Sequence, residues 1–250
     1  MLYYSVAHYF DVSDARSHAK YEHIFNHIKA FLNVNEHNKE FILVSFIDTK
    51  RENERYNIVK KDLQDFCQKH LPNHKVHVIV EYNWGGTIAA LWYAYLYLKF
   101  NDLEGYIAHF EEDFGPNLGH DNCYNNSKKL LTDAIQYVGE STIGRIKIAD
   151  PNTGQNDDGR LISQPGGTRL ALPEVWTDGG YYFTTISKLK VVEASIGIFH
   201  KGNQNTKYTN FEDGISLGEV GFPTLLHHAG FKFVCLIRET YFNNEWCGGH

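Results

Sequence analysis

Three carboxylates, Glu111, Glu112 and Asp113, follow one another directly after the apolar run GYIAHF. Neighbouring negative charges repel and are costly to take out of water, so such a cluster needs either solvent or a compensating cation. A divalent ion supplies that compensation, and hard carboxylate oxygens suit Mg²⁺ or Mn²⁺. In an extended segment Glu111 and Asp113 point to one side and Glu112 to the other. Glu111 and Asp113 are therefore the candidate metal ligands. The same triplet also reads as a solvated transition from strand to loop with no chemistry, because acidic residues are mostly exposed.

The carboxylates have to be held by the elements that precede them. The N-terminal half alternates short apolar runs with helical patterns, the arrangement of βα units feeding a mostly parallel sheet. YYSVAHY leads into SHAKYEHIFNHIKAFLN, where Tyr21, Ile24, Phe25, Ile28, Phe31 and Leu32 recur at helical spacing. FILVSFI leads into NERYNIVKKDLQDFCQKHL, with Ile58, Leu63 and Phe66 on one face. VHVIVEY leads through NWGG into TIAALWYAYLYLKF, and GYIAHF ends at the acidic triplet. Ligands of open α/β sheets bind outside the carboxyl ends of the strands, where the strand order reverses. The triplet is expected at such an edge. Neither GxxxxGK[ST] nor GxGxxG occurs after a strand, so a nucleotide bound here would rely on a metal to offset its phosphate charge.

Downstream the character changes. Residues 151–180 hold three prolines, Asn-Asp-Gly clusters and the PGG of Pro165 to Gly167, which reads as long loops with short strands. GGYYFTTI then reads as a strand, LKVVEASIGIF fits either helix or strand, ISLGEVGFPTLLHHAG reads as a helix and FKFVCLI as a last strand. Aliphatic, aromatic and cysteine residues make up 42% of the 250 residues and charged residues 22%, which fits a globular protein and excludes a disordered or fibrous one. A net charge of -6 without a long basic tract argues against nucleic acid as partner. The N-terminus has no pattern of a signal peptide, and the most apolar helical stretch is too short to span a bilayer. Cys67, Cys123, Cys235 and Cys247 form no CxxC pair. Reduced thiols in a cytoplasmic protein are the expectation.

The run NWGGTIAALWYAYLYLKFNDLEGYIAHFEEDF resembles glycosyltransferases of the GT-A fold, closest in pattern to the inverting family-2-like enzymes. Asn83 and Gly85 stand in the family's turn, an alanine-containing helix follows, Gly105 opens a strand, and Glu111-Glu112-Asp113 stands where the DxD metal motif would be. Gly179 and Gly180 in GGYYFTTI are similar to the Gly-Gly segment before the acceptor site. FEDGISLGEVGFPTLLHHAGFKF is similar to the family's Glu-Asp helix and the strand start after it. The resemblance spans roughly residues 3 to 238 and departs at two places. Glu111 replaces the first aspartate, and Ala90 and Leu91 replace an Arg-Asn pair of the helix.

The resemblance implies an α/β fold: a GT-A, Rossmann-like nucleotide-binding sheet with helices on both faces, continuing into an irregular α+β acceptor half. Residues 1–250 would form one domain, with about 1–115 binding nucleotide and about 116–250 binding acceptor. The implied reaction is metal-dependent transfer of a sugar from a nucleoside diphosphate sugar, UDP-linked, to a glycan or other hydroxyl acceptor. Asp113 and Glu111 would hold Mn²⁺ or Mg²⁺, with His250 as a late ligand, and Glu112 would lie near ribose or sugar. Ala7, His8 and Tyr9 at the end of the first strand and Asp48 after the second would contact base and ribose. Asn83, Trp84, Gly85 and Gly86 would let the backbone approach the donor. Asp213 would take the acceptor proton as general base, although it equally reads as the N-cap of the helix that follows. Glu212, Gly179, Gly180 and Trp176 would line the acceptor side. Trp84 and Trp176 also serve as ordinary packing residues in many folds. Three alternatives stay open: a retaining glycosyltransferase, a sugar nucleotidyltransferase, and a non-catalytic carbohydrate-binding module. Nucleotidyltransferases usually carry a Gly-rich basic loop after the first strand, and HYFDVSDARSHAK is not one.

Overall fold

The computed structural model describes residues 1–9, 17–47, 53–82, 86–112, 128, 147–148, 175–176 and 181–197. In chain order these form β1 (Leu2–Tyr9), α1 (Ser17–Asn33), β2 (Lys39–Ile47), α2 (Asn53–His70), β3 (Val76–Tyr82), α3 (Gly86–Phe100) and β4 (Tyr106–Glu111), followed by β5 (Lys147–Ile148), β6 (Val175–Trp176), β7 (Tyr181–Thr185) and α4 (Ile186–Ile196). The strands expected at 3–9, 41–47, 76–82 and 105–110 are all present, with ends shifted by a residue or two. LKVVEASIGIF, which fitted either state, is mostly helix: Thr185 caps α4 by accepting the Lys188 N–H at 3.2 Å, and Gly197 ends it at φ 76°.

One five-stranded sheet organises the molecule, in the order β3-β2-β1-β4-β7. β1 pairs in parallel with β2 and β4, and β2 with β3, while β7 runs antiparallel to β4. β1 to β3 therefore proceed one way across the sheet and β4 lies on the other flank of β1, so the order reverses between β1 and β4. β5 and β6 pair separately as a two-residue ladder.

Alternation along the strands divides the core in two. Leu2, Tyr4, Val6, Phe41, Leu43, Val78, Val80, Ala108 and Phe110 pack with Ile24, Ile28 and Phe31 of α1 and Val59, Leu63 and Cys67 of α2. Tyr3, Ala7, Ile42, Val44 and Ile107 pack on the opposite face with α3 and α4. Central strands covered on both sides explain why FILVSFI is almost continuously apolar. They also explain α3, whose Ile88, Ala89, Leu91, Trp92, Tyr95 and Leu98 are all buried: the sheet lies on one side and α4 on the other.

Two positions of the helical stripes differ from the expectation. Ile58 is 60% and Leu32 45% exposed. On α2 the buried stripe runs through Val59, Leu63 and Cys67, spaced by four residues, and Ile58 is rotated out of it by one position. Leu32 likewise follows Phe31, which takes the core position on α1. Burial pushes the Cys67 thiol up to about 12, so it packs as an apolar side chain. No helix among the described residues is long and apolar enough to cross a membrane.

The N-terminal edge of the sheet is closed by a satisfied polar network. The His77 Nε2–H donates to Glu40 Oε2 at 2.6 Å, and Nδ1 lies 2.9 Å from the Tyr97 hydroxyl. The opposite edge carries the candidate site.

Candidate functional site

The carboxyl ends of β1 and β4 lie side by side, with Ala7 opposite Glu111. The strand order reverses between these two strands, the position outside which ligands of open α/β sheets bind. Strand alternation sends the two described carboxylates to opposite faces. Glu111 follows the parity of Ile107 and His109, toward α3. Glu112 follows Ala108 and Phe110, toward α1, where its Oε2 comes within 3.6 Å of His8 Nε2. The His8 side chain is completely buried, and that of Glu112 is 17% exposed.

On the α3 face, His109 ties three elements together. Its ring is fully buried; Nε2–H donates to the Thr87 carbonyl at 3.0 Å, so Nδ1 is the acceptor for the Ser5 hydroxyl at 2.9 Å. Burial pushes this histidine down to about 3, against the opposing pull of the Thr87 bond, so the ring is neutral. The bond anchors the first turn of α3, which Gly86 opens at φ 58°, against β1 and β4. The positive end of the α3 dipole thereby lies on the same side as Glu111, where it favours negative charge.

On the α1 face a second histidine does the corresponding work. His27 Nε2 lies 2.9 Å from the Glu111 carbonyl oxygen, and Nδ1 lies 3.0 Å from the Tyr4 hydroxyl. Neither His27 nor His109 was singled out from the sequence. A signal was present, since His27 shares the helical stripe of Ile24, Ile28 and Phe31, and His109 sits between Ala108 and Phe110 in a buried strand.

Of the expected site residues, the structure brings Ala7, His8, Tyr9, Glu111 and Glu112 to this one edge, with Gly86 at the start of α3. Ala7 and His8 are buried within the edge. Trp176 lies in β6, paired with Lys147 of β5 rather than in the main sheet. Asp48, Asn83, Trp84, Gly85, Asp113, Gly179, Gly180, Glu212, Asp213 and His250 lie outside the described residues. Chemically the carboxylates fit Mn²⁺ or Mg²⁺, being hard oxygen donors at a strand end. Among the described residues, however, no three such donors converge on one point. Any further protein donor would have to come from outside the described residues.

Comparison with protein-family models finds no match, and neither does comparison with curated proteins. Among solved structures the chain is similar to a cytidylyltransferase from Leptospira borgpetersenii serovar Hardjo-bovis, with a TM-score of 0.51 at 9% identity over 98% of this chain and 77% of that one. It is also similar, at a TM-score of 0.40, to a 4-diphosphocytidyl-2C-methyl-D-erythritol synthase from Anaerococcus prevotii, 13% identical over 93% of this chain and 88% of that one. A second 4-diphosphocytidyl-2C-methyl-D-erythritol synthase gives a TM-score of 0.40 at 11% identity, over 94% and 86%. At 9% identity the first likeness shows the fold alone: a mixed α/β, Rossmann-like architecture, a sheet flanked by helices.

Proposed function

We propose that the protein is a transferase acting on a nucleotide-linked substrate, bound at the crevice between the carboxyl ends of β1 and β4, and that it transfers a sugar from a nucleoside diphosphate sugar to a hydroxyl acceptor. The observation that carries this reading is that the ends of β1 and β4, where the strand order reverses, carry Glu111 on the α3 face and the Glu112–His8 pair on the α1 face. In this reading Glu111 and Asp113 hold a divalent cation, which when bound offsets charge on the departing diphosphate. Asp213 takes the proton of the acceptor hydroxyl as its oxygen bonds to the anomeric carbon, and the bond from that carbon to the phosphate oxygen breaks on the opposite face. General-base help of this kind is worth about 10²- to 10⁴-fold. Glu212, Gly179, Gly180 and Trp176 line the acceptor side. Tyr9, Asp48 and the segment from Asn83 to Gly86 face the nucleotide, with Ala7 and His8 buried beneath it at the end of β1. His250 and Glu112 complete the surroundings of the cation and the sugar.

Nucleotidyl transfer is the second reading, and the likeness to the Leptospira cytidylyltransferase favours it over glycosyl transfer. The residues favour glycosyl transfer, because the segment after β1, FDVSDAR, contains no glycine and only one cation. The two reactions release different products. Purified protein with Mn²⁺ or Mg²⁺ is offered UDP-, GDP- and CDP-sugars with hydroxyl acceptors in one set, and CTP or UTP with sugar phosphates in another. Release of a nucleoside diphosphate supports glycosyl transfer, and release of pyrophosphate supports nucleotidyl transfer. If neither product appears and no nucleotide raises the melting temperature, the transferase reading is wrong, since any bound ligand stabilises by mass action.

A further inference from the structure

We propose that His27 is a positioning residue that fixes the end of β4, so that the Glu111 carboxylate is held ready for a divalent cation; the cation part rests on the function proposed above. His27 lies on α1 and is completely buried. A backbone carbonyl can only accept, so the 2.9 Å contact with the Glu111 oxygen places the hydrogen on Nε2. Nδ1 then accepts from Tyr4, 3.0 Å away on β1. The Tyr4 ring stacks on Phe110 with centroids 4.6 Å apart, and the His27 ring centroid is 5.6 Å from that of Phe110. The imidazole is thus clamped in orientation by both hydrogen bonds and by the aromatic residue immediately before Glu111.

Packing alone would not call for a histidine here. Its neighbours on the stripe are Ile24, Ile28 and Phe31, and an apolar residue would fill the space without two polar atoms to satisfy. What the imidazole adds is a directed bond to the last residue of β4, 84 positions away in sequence. Residues that orient metal-ligating groups in this indirect way commonly change metal affinity by about 10- to 100-fold when altered.

Three substitutions separate this role from general stabilisation. His27→Gln places an amide N–H where Nε2 donates. His27→Asn places its amide near Nδ1, keeping the link to Tyr4 and losing the one to Glu111. Tyr4→Phe removes the other hydrogen bond and leaves the Glu111 bond in place. Hydrogen exchange of the backbone amides from Phe110 to Glu112 is read in the metal-free protein, and Mn²⁺ affinity by titration of the free ion. His27→Asn is expected to speed exchange at the strand end and weaken Mn²⁺ binding by about 10- to 100-fold. His27→Gln should restore both, and Tyr4→Phe should leave both near wild type despite a comparable loss of stability. Unchanged exchange in His27→Asn overturns the proposal, and so does a Tyr4→Phe variant that matches His27→Asn in both readings. A wild-type chain that takes up no Mn²⁺ overturns the cation reading, while the exchange arm still decides whether His27 holds β4.

Discussion

Gly105, at the entry to β4, offers a test of how firmly the two strands under the site are pinned together. It adopts φ +148°, and a Cβ added there would meet the Met1 carbonyl oxygen at 2.3 Å. That oxygen cannot swing away freely, because it accepts the Tyr106 N–H at 3.0 Å and the adjoining Leu2 is fully buried between Lys39 of β2 and Tyr106 of β4. The Gly105 carbonyl in turn accepts the Ile186 N–H at 3.0 Å, fastening the start of α4. Gly105→Ala must hold a backbone conformation that side chains rarely tolerate, at about 1–3 kcal/mol. It must also weaken the bond between Met1 and Tyr106, at about 0.5–1.5 kcal/mol. The expected loss is about 2–4 kcal/mol. Gly197→Ala is the internal control: φ is +76° there as well, but nothing lies within 4 Å of the added carbon. It should cost only the strain of its own glycine-favoured backbone conformation, φ 76° and ψ -177°, about 1–3 kcal/mol. Urea unfolding followed by circular dichroism measures both, and the midpoint should fall further for Gly105→Ala at unchanged slope. Equal losses would mean that the chain start moves aside without resistance, refuting the view that β1 and β4 are locked at this end.

Other outcomes follow from the same geometry. The unfolded chain takes up a proton at His109 near its ordinary value of 6.5, and the folded chain only near 3. Stability from this residue is therefore complete above about pH 6.5 and declines as the pH falls toward 3. Between pH 7.5 and pH 5 the metal-free wild type should lose about 2 kcal/mol more than His109→Gln; parallel pH profiles of unfolding free energy would contradict the assignment. Lys39 donates to the carbonyls of Phe31, Leu32 and Val34 at 2.7, 3.1 and 2.6 Å, closing the end of α1. Lys39→Met, which keeps the aliphatic stem, should cost about 1–2 kcal/mol in chemical unfolding, and a loss near zero would show that water serves these carbonyls equally well. In product-release assays Asp113→Ala should abolish turnover while the unfolding midpoint stays unchanged, and undiminished turnover would remove Asp113 from the cation site.

Local pattern was enough to find the βα units. Alternation and helical spacing are properties of neighbouring residues, so the four parallel strands, their helices and the position of Glu111 and Glu112 at a strand end could be read directly from order and period. Ile58 shows where such reading stops: several apolar residues of α2 compete for one stripe, and only the sheet beneath selects Val59, Leu63 and Cys67. The segment LKVVEASIGIF was ambiguous for a similar reason, since its helical state is set by the Thr185 cap and by the Glu193 carboxylate, which receives Lys99 of α3 at 2.7 Å.

The sequence by itself determined the elements and the concentration of charge after GYIAHF, because both are written in contiguous residues. Only the tertiary structure decided that Glu112 meets His8, that His109 fastens the start of α3, and that His27 reaches the Glu111 carbonyl. Each of those contacts joins residues separated by 22 to 104 positions or depends on which strand lies beside β1. No local period encodes that adjacency. It arises when burying both faces of the sheet places β4 against β1, and the polar atoms enclosed there must then find partners in one another.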